Sequence, residues 1–178
     1  MGIGIIVCGL NGSGKSTLGK KLAESLGFHF IDSEELFFQK TDSQYIYANP
    51  RPRKEVEKLL MDEVRTHENF VFAAVKGDYG EKILTLYQYA VLIDVPKDIR
   101  LWRVRNRSFL KFGDRMLSGG DLYEQEKAFF DMISTRTEND VEVWVQSLKC
   151  PVLRVDGTKN VDENIIFITE QIQTFISY

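Results

Sequence analysis

The chain has no run of about 18 apolar residues, the length a membrane-crossing helix needs, so no membrane span is expected. It has no surplus of positive charge. Its net charge is −3 over 178 residues, which argues against sequence-independent binding to nucleic acid. It has only two cysteines, Cys8 and Cys150, in no zinc-ligand spacing. Such scarcity points to a reducing cytoplasm, with Cys8 read as a small buried apolar group. No basic segment precedes the apolar N-terminus, so no secretory leader is expected. Ile6 stands where N-myristoylation after Met1-Gly2 requires Ser or Thr. The two histidines, His29 and His67, lie far apart in sequence. They are read as a strand residue and as a helix C-terminal residue favoured by the helix dipole, with no chemistry assigned to either. There is no internal repeat and no low-complexity segment. With 43% hydrophobic and 28% charged residues, the chain is expected to form one domain spanning residues 1–178.

One segment near the start is informative. Gly9-Leu10-Asn11-Gly12-Ser13-Gly14-Lys15-Ser16-Thr17 fits the phosphate-binding pattern G-x-x-x-x-G-K-[ST] in full. Its flanks fit as well. Ile3–Cys8 is a short apolar run suited to a buried strand. Leu18, Leu22, Ala23 and Leu26 then share one face of a helix, with Gly27 placed to cap it. The chemistry explains the spacing. Glycines let the backbone wrap closely and turn its N–H groups inward, and the helix N-terminus adds the positive end of its dipole. Amides from Asn11 to Ser16 then cradle a nucleotide's phosphates. Lys15 supplies a mobile charge for the β- and γ-phosphates, and Ser16 a hydroxyl for Mg²⁺. ATP and Mg²⁺ are the expected ligands.

Strand and helix patterns alternate along the rest. Strands are predicted at Phe28–Ile31, Asn69–Val75, Ala90–Val95 and Pro151–Val155. Helices are predicted from Pro52 to His67, from Lys97 towards Arg107, from about Leu122 to Leu148, and from Val161 onward through Ile165, Ile168, Ile172, Phe175 and Ile176. This alternation implies a three-layer α/β fold: a parallel sheet with helices on both faces and ligands beyond the carboxyl ends of the strands. The glycine-punctuated stretch Ser108–Gly120 has no clear apolar stripe and follows Arg100, Arg103, Arg105 and Arg107. It is read as part of a mobile lid, about residues 105–122, whose arginines close on phosphates.

With these motifs in place, the chain resembles the small P-loop kinases of the nucleoside-monophosphate-kinase and shikimate-kinase group. Four places carry the resemblance: Gly9 to Gly27; Phe30-Ile31-Asp32-Ser33-Glu34; Val91–Pro96 with Arg103 and Arg107; and Val155-Asp156-Gly157-Thr158-Lys159-Asn160. It implies a five-stranded parallel sheet in the order 2-3-1-4-5, an acceptor-binding segment at about 33–67, and a late loop bearing Gly157 and Lys159 against adenine. It also implies Arg103 near the nucleotide, Arg107 and Arg115 as lid arginines, and Arg51 and Arg53 as ligands for an acidic acceptor. The turn after the third strand departs from both subgroups. Lys76-Gly77-Asp78-Tyr79-Gly80 replaces the Asp-Gly-x-Pro-Arg of one and the triple glycine of the other.

The resulting expectation is transfer of the γ-phosphoryl group of MgATP to a small anionic acceptor. Lys15, Arg107 and Arg115 stabilise the transferring group. Asp32 orients or deprotonates the acceptor, or holds the metal with Ser16. Gly77 and Asp78 line the acceptor side. Asp32-Ser33-Glu34-Glu35 reads equally as a helix start, and Asp94 reads as the cap of the helix after Pro96. A nucleoside monophosphate, a shikimate-like carboxylate, a sugar acid and an antibiotic hydroxyl all remain open as acceptors. The rival reading is a nucleotide-binding regulatory module with little turnover, because Phe70–Val75 lacks a strand-end aspartate. A monomer or homodimer is expected.

Overall fold

The computed structural model describes residues 2–39, 41 and 44–176, the side chains of 174–176 excepted. The side chains of Phe175 and Ile176 in the expected last stripe, and residues 40, 42 and 43 of the 33–67 segment, therefore lie outside what is described. Five strands form one parallel sheet: β1 (Gly4–Cys8), β2 (His29–Asp32), β3 (Phe70–Ala74), β4 (Tyr87–Asp94) and β5 (Val152–Asp156). Their order is β2-β3-β1-β4-β5, as the resemblance implied. The helices are α1 (Lys15–Leu26), α2 (Ser33–Phe37), α3 (Arg53–Thr66), α4 (Glu81–Leu84), α5 (Lys97–Phe112), α6 (Tyr123–Thr135), α7 (Asn139–Gln146) and α8 (Val161–Ile176).

The sheet is buried on both faces, so its strands read as apolar runs without polar alternation. Side chains alternate across it and build two cores. Ile6, Phe72 and Leu92 pack with Val56, Leu60 and Val64 of α3 and Val141 and Val145 of α7. Ile5, Val71, Val91 and Ile93 pack with Leu18, Leu22 and Ala23 of α1 and Ile168 and Ile172 of α8. In register, Cys8 lies beside Ala74 and Leu92, and Asp32 beside Ala73. The carboxyl ends of β1, β2 and β3 thus open towards the same edge.

Three local expectations are corrected. The helix expected over Leu122–Leu148 is two, α6 and α7, broken at Arg136, whose backbone is extended. The cause is a capping arrangement: the Thr137 N–H donates to Asp140 Oδ2 at 2.7 Å, three residues on. The lid expected at 105–122 is helical through Phe112, because Val104, Ser108 and Phe112 recur at helical spacing and are buried. Only residues 113–122 leave the α-helical path, starting with a 3₁₀ turn, Gly113–Met116. Asp94 does not cap α5; its carboxylate faces Arg154 at 3.6 Å. Gly27 does cap α1, with its N–H on the carbonyls of Ala23 and Glu24.

Candidate functional site

Between β1 and α1 the backbone wraps into a cradle. Gly12 has φ +84°, and a Cβ there would lie 2.3 Å from the Arg100 carbonyl oxygen, so only glycine fits. Gly14 caps α1 with no capping side chain, and no acidic residue occupies the first turn. The amides of Lys15, Ser16 and Thr17 therefore have no acceptor within the helix and face outward with the dipole. Ser13 Oγ is buried without a hydrogen-bond partner. Uncapped amides and an orphaned hydroxyl in one loop fit an anion with many oxygens.

The loop is braced from behind. Arg100, 2% exposed, donates Nε to the Val95 carbonyl at 3.1 Å and Nη1 to the Asn11 carbonyl at 3.4 Å, and pairs with Glu138 at 3.2 Å. Arg136, at the break after α6, donates Nη1 to Asn11 Oδ1 at 2.7 Å. Sequence reasoning placed Arg136 inside a helix and Arg100 among the basic residues leading into the lid. The Thr137-x-x-Asp140 pattern was the available signal for the break.

A cavity of about 770 Å³ opens beside the loop. Lys15, Ser16, Asp32, Arg53, Asp78, Arg107 and Arg136 all line it, together with Lys76 and Glu34. Lys15 Nζ donates to the Leu10 carbonyl at 3.0 Å. Burial pushes its ammonium down to about 8, with the Asp32 carboxylate pulling the other way. Asp32 Oδ1 accepts the Glu34 N–H at 2.8 Å, so Asp32 caps α2 and stands in the cavity at once. Arg107 forms no hydrogen bond or ion pair among the described residues. Arg53 is held between Glu57 at 3.1 Å and Asp78 at 3.5 Å, and its guanidinium also bonds the Asp78 carbonyl. Ser16 and Asp32 are oxygen donors of the kind Mg²⁺ takes.

The remaining wall is aromatic. Phe38, Tyr45, Tyr47 and Phe112 line the cavity, with Tyr45, Tyr47 and Phe112 in mutual ring contact. Tyr45 donates to the buried Glu126 at 2.8 Å and Tyr47 to Glu34 at 3.1 Å. Sequence reasoning missed this wall, because its members share no period and come from three segments.

On the other side of the loop lies a second cavity of about 290 Å³, lined by Ser13, Gly14, Thr17, Arg103, Gly157 and Lys159. Both Arg103 Nη atoms donate to the Gly157 carbonyl at 3.0 Å. The remaining candidates stand elsewhere. Gly9 donates its N–H to the Val75 carbonyl, at the edge of a third, small cavity. Gly77 is fixed by the Tyr87 hydroxyl, which donates to its carbonyl at 3.0 Å. Arg51 pairs with Glu55 at 3.1 Å and bonds the Leu36 carbonyl at 2.7 Å, outside the main cavity. Arg115 is not brought there either: its guanidinium pairs with Asp121 at 2.7 Å and bonds the Gln44 carbonyl at 2.9 Å.

Cys8 and Cys150 are both free, and burial pushes the Cys8 thiol up to about 12, so it is an unreactive packing group. No helix among the described residues is long and apolar enough to cross a membrane.

Residues 5–109, more than half of the chain, match the family described as AAA domain. The chain is 34% identical to a shikimate kinase of Synechococcus elongatus over 161 residues, 83% of this chain and 85% of the relative. It is 28% identical to YqaC of Bacillus subtilis, described as uncharacterized, over 90% of this chain and 92% of that one. Among solved structures, a shikimate kinase from Bacteroides thetaiotaomicron superposes with a TM-score of 0.58 at 17% identity, covering 96% of this chain and 98% of that one. A gluconokinase from Sinorhizobium meliloti superposes with a TM-score of 0.54 at 16% identity, covering 99% and 98%. At such identities these structures speak for the fold, while the sequence relatives carry the family. The chain therefore belongs to this AAA-domain family and, within it, to the P-loop small-molecule kinases of the shikimate kinase-like group.

Proposed function

We propose that this kinase moves the γ-phosphoryl group of ATP to a hydroxyl or phosphate oxygen of a small anionic acceptor held in the large cavity. The observation that carries the reading is the placement of Lys15, Asp32 and Arg107 on one cavity, directly beside the uncapped amides of α1. The bond from the β–γ bridging oxygen to the γ-phosphorus breaks and a bond from the acceptor oxygen forms. The products are ADP and the phosphorylated acceptor. Bound Mg²⁺ would neutralise phosphate charge; the Ser16 hydroxyl would hold it directly and Asp32 through a water, which leaves the Asp32 carboxylate free for the acceptor.

The chain's own groups do the positioning. The amides of the loop take the phosphates, and Lys15 follows the charge onto the transferring group. Arg107 already lines the cavity and offers a planar fork to phosphate oxygens without first giving up a partner. Asp32 aligns the acceptor hydroxyl and takes its proton. Arg103, Gly157 and Lys159 receive the base of the nucleotide in the second cavity. Arg53, Lys76 and Arg136 give the acceptor side its positive character, while the carboxylates of Asp78 and Glu57 offset Arg53. That offset, with the aromatic wall, suits an acceptor bearing an apolar or ring portion beside its anionic group. The shikimate and gluconate named for the relatives are the first compounds to try.

The test is ADP release from MgATP across a panel of shikimate, sugar acids, nucleoside monophosphates and aminoglycosides. The expected result is release that depends on one class of acceptor. Release that no acceptor changes favours the regulatory-module reading.

Lys15 gives the binding step a pH dependence. Nucleotide-free protein loses the Lys15 charge as pH rises through about 8. Bound phosphate favours the charged form and holds its pKa higher. Affinity for ATP is therefore expected to fall as pH climbs above about 8, with proton uptake on binding there. Calorimetry in buffers of different ionisation enthalpy reads the proton directly. An affinity that stays flat through this range contradicts the account of Lys15.

A further inference from the structure

We propose that His29, Glu63 and His67 form a transition-metal site, for Zn²⁺ or an ion of like preference, at the end of the sheet away from the phosphate loop. Their ligand atoms all lie within 4.8 Å of one another, the one such cluster among the described residues. His29 Nε2 and Glu63 Oε2 stand 2.9 Å apart. The two imidazoles stack face to face, with ring centroids 3.7 Å apart and planes inclined by 14°. The 37 residues that lie between the histidines in sequence hide the pair from any motif.

The three side chains rise from ordered backbone. His29 opens β2, and its N–H donates to the Asn69 carbonyl at 3.0 Å. Glu63 and His67 stand four residues apart at the end of α3, on one face, and the His67 N–H donates to the Glu63 carbonyl at 2.9 Å. A tetrahedral zinc ion with bonds of about 2.0–2.1 Å keeps its ligand atoms about 3.4 Å apart. Stacked, near-parallel rings cannot both aim a nitrogen in-plane at one ion, so binding requires the His67 ring to turn out of the stack while Glu63 swings to meet it.

Two imidazoles and one carboxylate choose the metal. Imidazole nitrogen suits Zn²⁺, Co²⁺ and Ni²⁺, whereas Mg²⁺ and Ca²⁺ take oxygen ligands. Three protein ligands leave the fourth position to water. The site stands apart from the nucleotide cavity, whose lining includes none of the three residues. His29 and Asp32 occupy opposite ends of β2, about 10 Å apart along the strand. An ion there fastens the C-terminal end of α3 to β2. The other end of α3 carries Arg53, and the other end of β2 carries Asp32, both on the cavity wall. The bound ion thus clamps together two elements that carry the acceptor side, while the inference itself does not rest on the kinase reaction.

Chelator-treated protein, returned to buffer with Mg²⁺, is titrated with Zn²⁺ by calorimetry and with Co²⁺ by visible spectroscopy. One Zn²⁺ per chain, the d–d bands of tetrahedral Co²⁺, and a rise in melting temperature with excess Zn²⁺ are expected. His29→Gln and His67→Ala are each expected to weaken Zn²⁺ binding at least about tenfold, the loss that removal of even an outer partner of a ligand gives. ATP binding in the presence of Mg²⁺ stays unchanged in both. His67→Gln serves where the alanine variant fails to fold. Absence of Zn²⁺ binding by the wild type, or equal binding by wild type and the histidine variants, overturns the proposal.

Discussion

Lys15→Ala is expected to lower acceptor-dependent turnover by at least about 10²-fold, several kcal/mol of transition-state stabilisation, with the fold intact. Lys15 stands at the start of α1, and its ammonium makes one hydrogen bond, to the Leu10 carbonyl of its own loop. Little structure depends on it. What the substitution removes is a cation in a setting that strengthens it. Burial disfavours its charge strongly enough to bring it down to about 8, and the same poor solvation magnifies its attraction to phosphate. The loss falls on kcat where the charge follows the transferring group and on KM where it only holds ATP. Steady-state kinetics beside a thermal melt separates these from unfolding. Turnover near that of the wild type, in folded protein, removes Lys15 from the mechanism.

Gly12→Ala is expected to abolish measurable ATP binding while leaving most of the sheet in place. Two penalties add at this position. A backbone at φ +84° costs a residue with a Cβ about 1–3 kcal/mol. The new methyl group also meets the Arg100 carbonyl oxygen at 2.3 Å, and that atom belongs to the first turn of α5 and cannot swing aside. The loop must move instead. Moving it drags Asn11 away from both arginines that brace it, Arg100 on its carbonyl and Arg136 on its amide oxygen. The cradle amides then no longer converge, and affinity drops by at least about 10²-fold, two lost charge-assisted hydrogen bonds' worth. Thermal shift with and without ATP reads it. A Gly12→Ala protein that binds ATP as the wild type does contradicts the geometry of the loop.

Much of this was legible in the sequence, for identifiable reasons. The glycines and Lys15-Ser16 leave few alternatives, because each has a fixed steric or electrostatic task. Strands buried on both faces give apolar runs such as Phe70–Ala74, which are easily placed. The strand order followed from the resemblance. The failures also have physical causes. Glycines at 113, 119 and 120 drew the lid too early, masking the buried stripe that carries α5 through Phe112. Arg115 looked free because its partner Asp121 lies six residues on, across a turn. The aromatic wall needs Tyr45, Tyr47 and Phe112 to meet from distant segments, which no periodicity announces. The same holds for Arg136, whose partner Asn11 lies 125 residues earlier. The phosphate half of the site is local in sequence and could be read. On the opposite wall of the cavity, Asp32, Arg53 and Asp78 were named from the sequence, whereas the aromatic contacts are assembled by the fold and were not.

The most direct test of the central claim is isothermal titration of folded, metal-defined protein with ATP in the presence of Mg²⁺. The account expects saturable binding at one site per chain, lost in Gly12→Ala and weakened in Lys15→Ala. No heat with ATP or with any other purine triphosphate contradicts it.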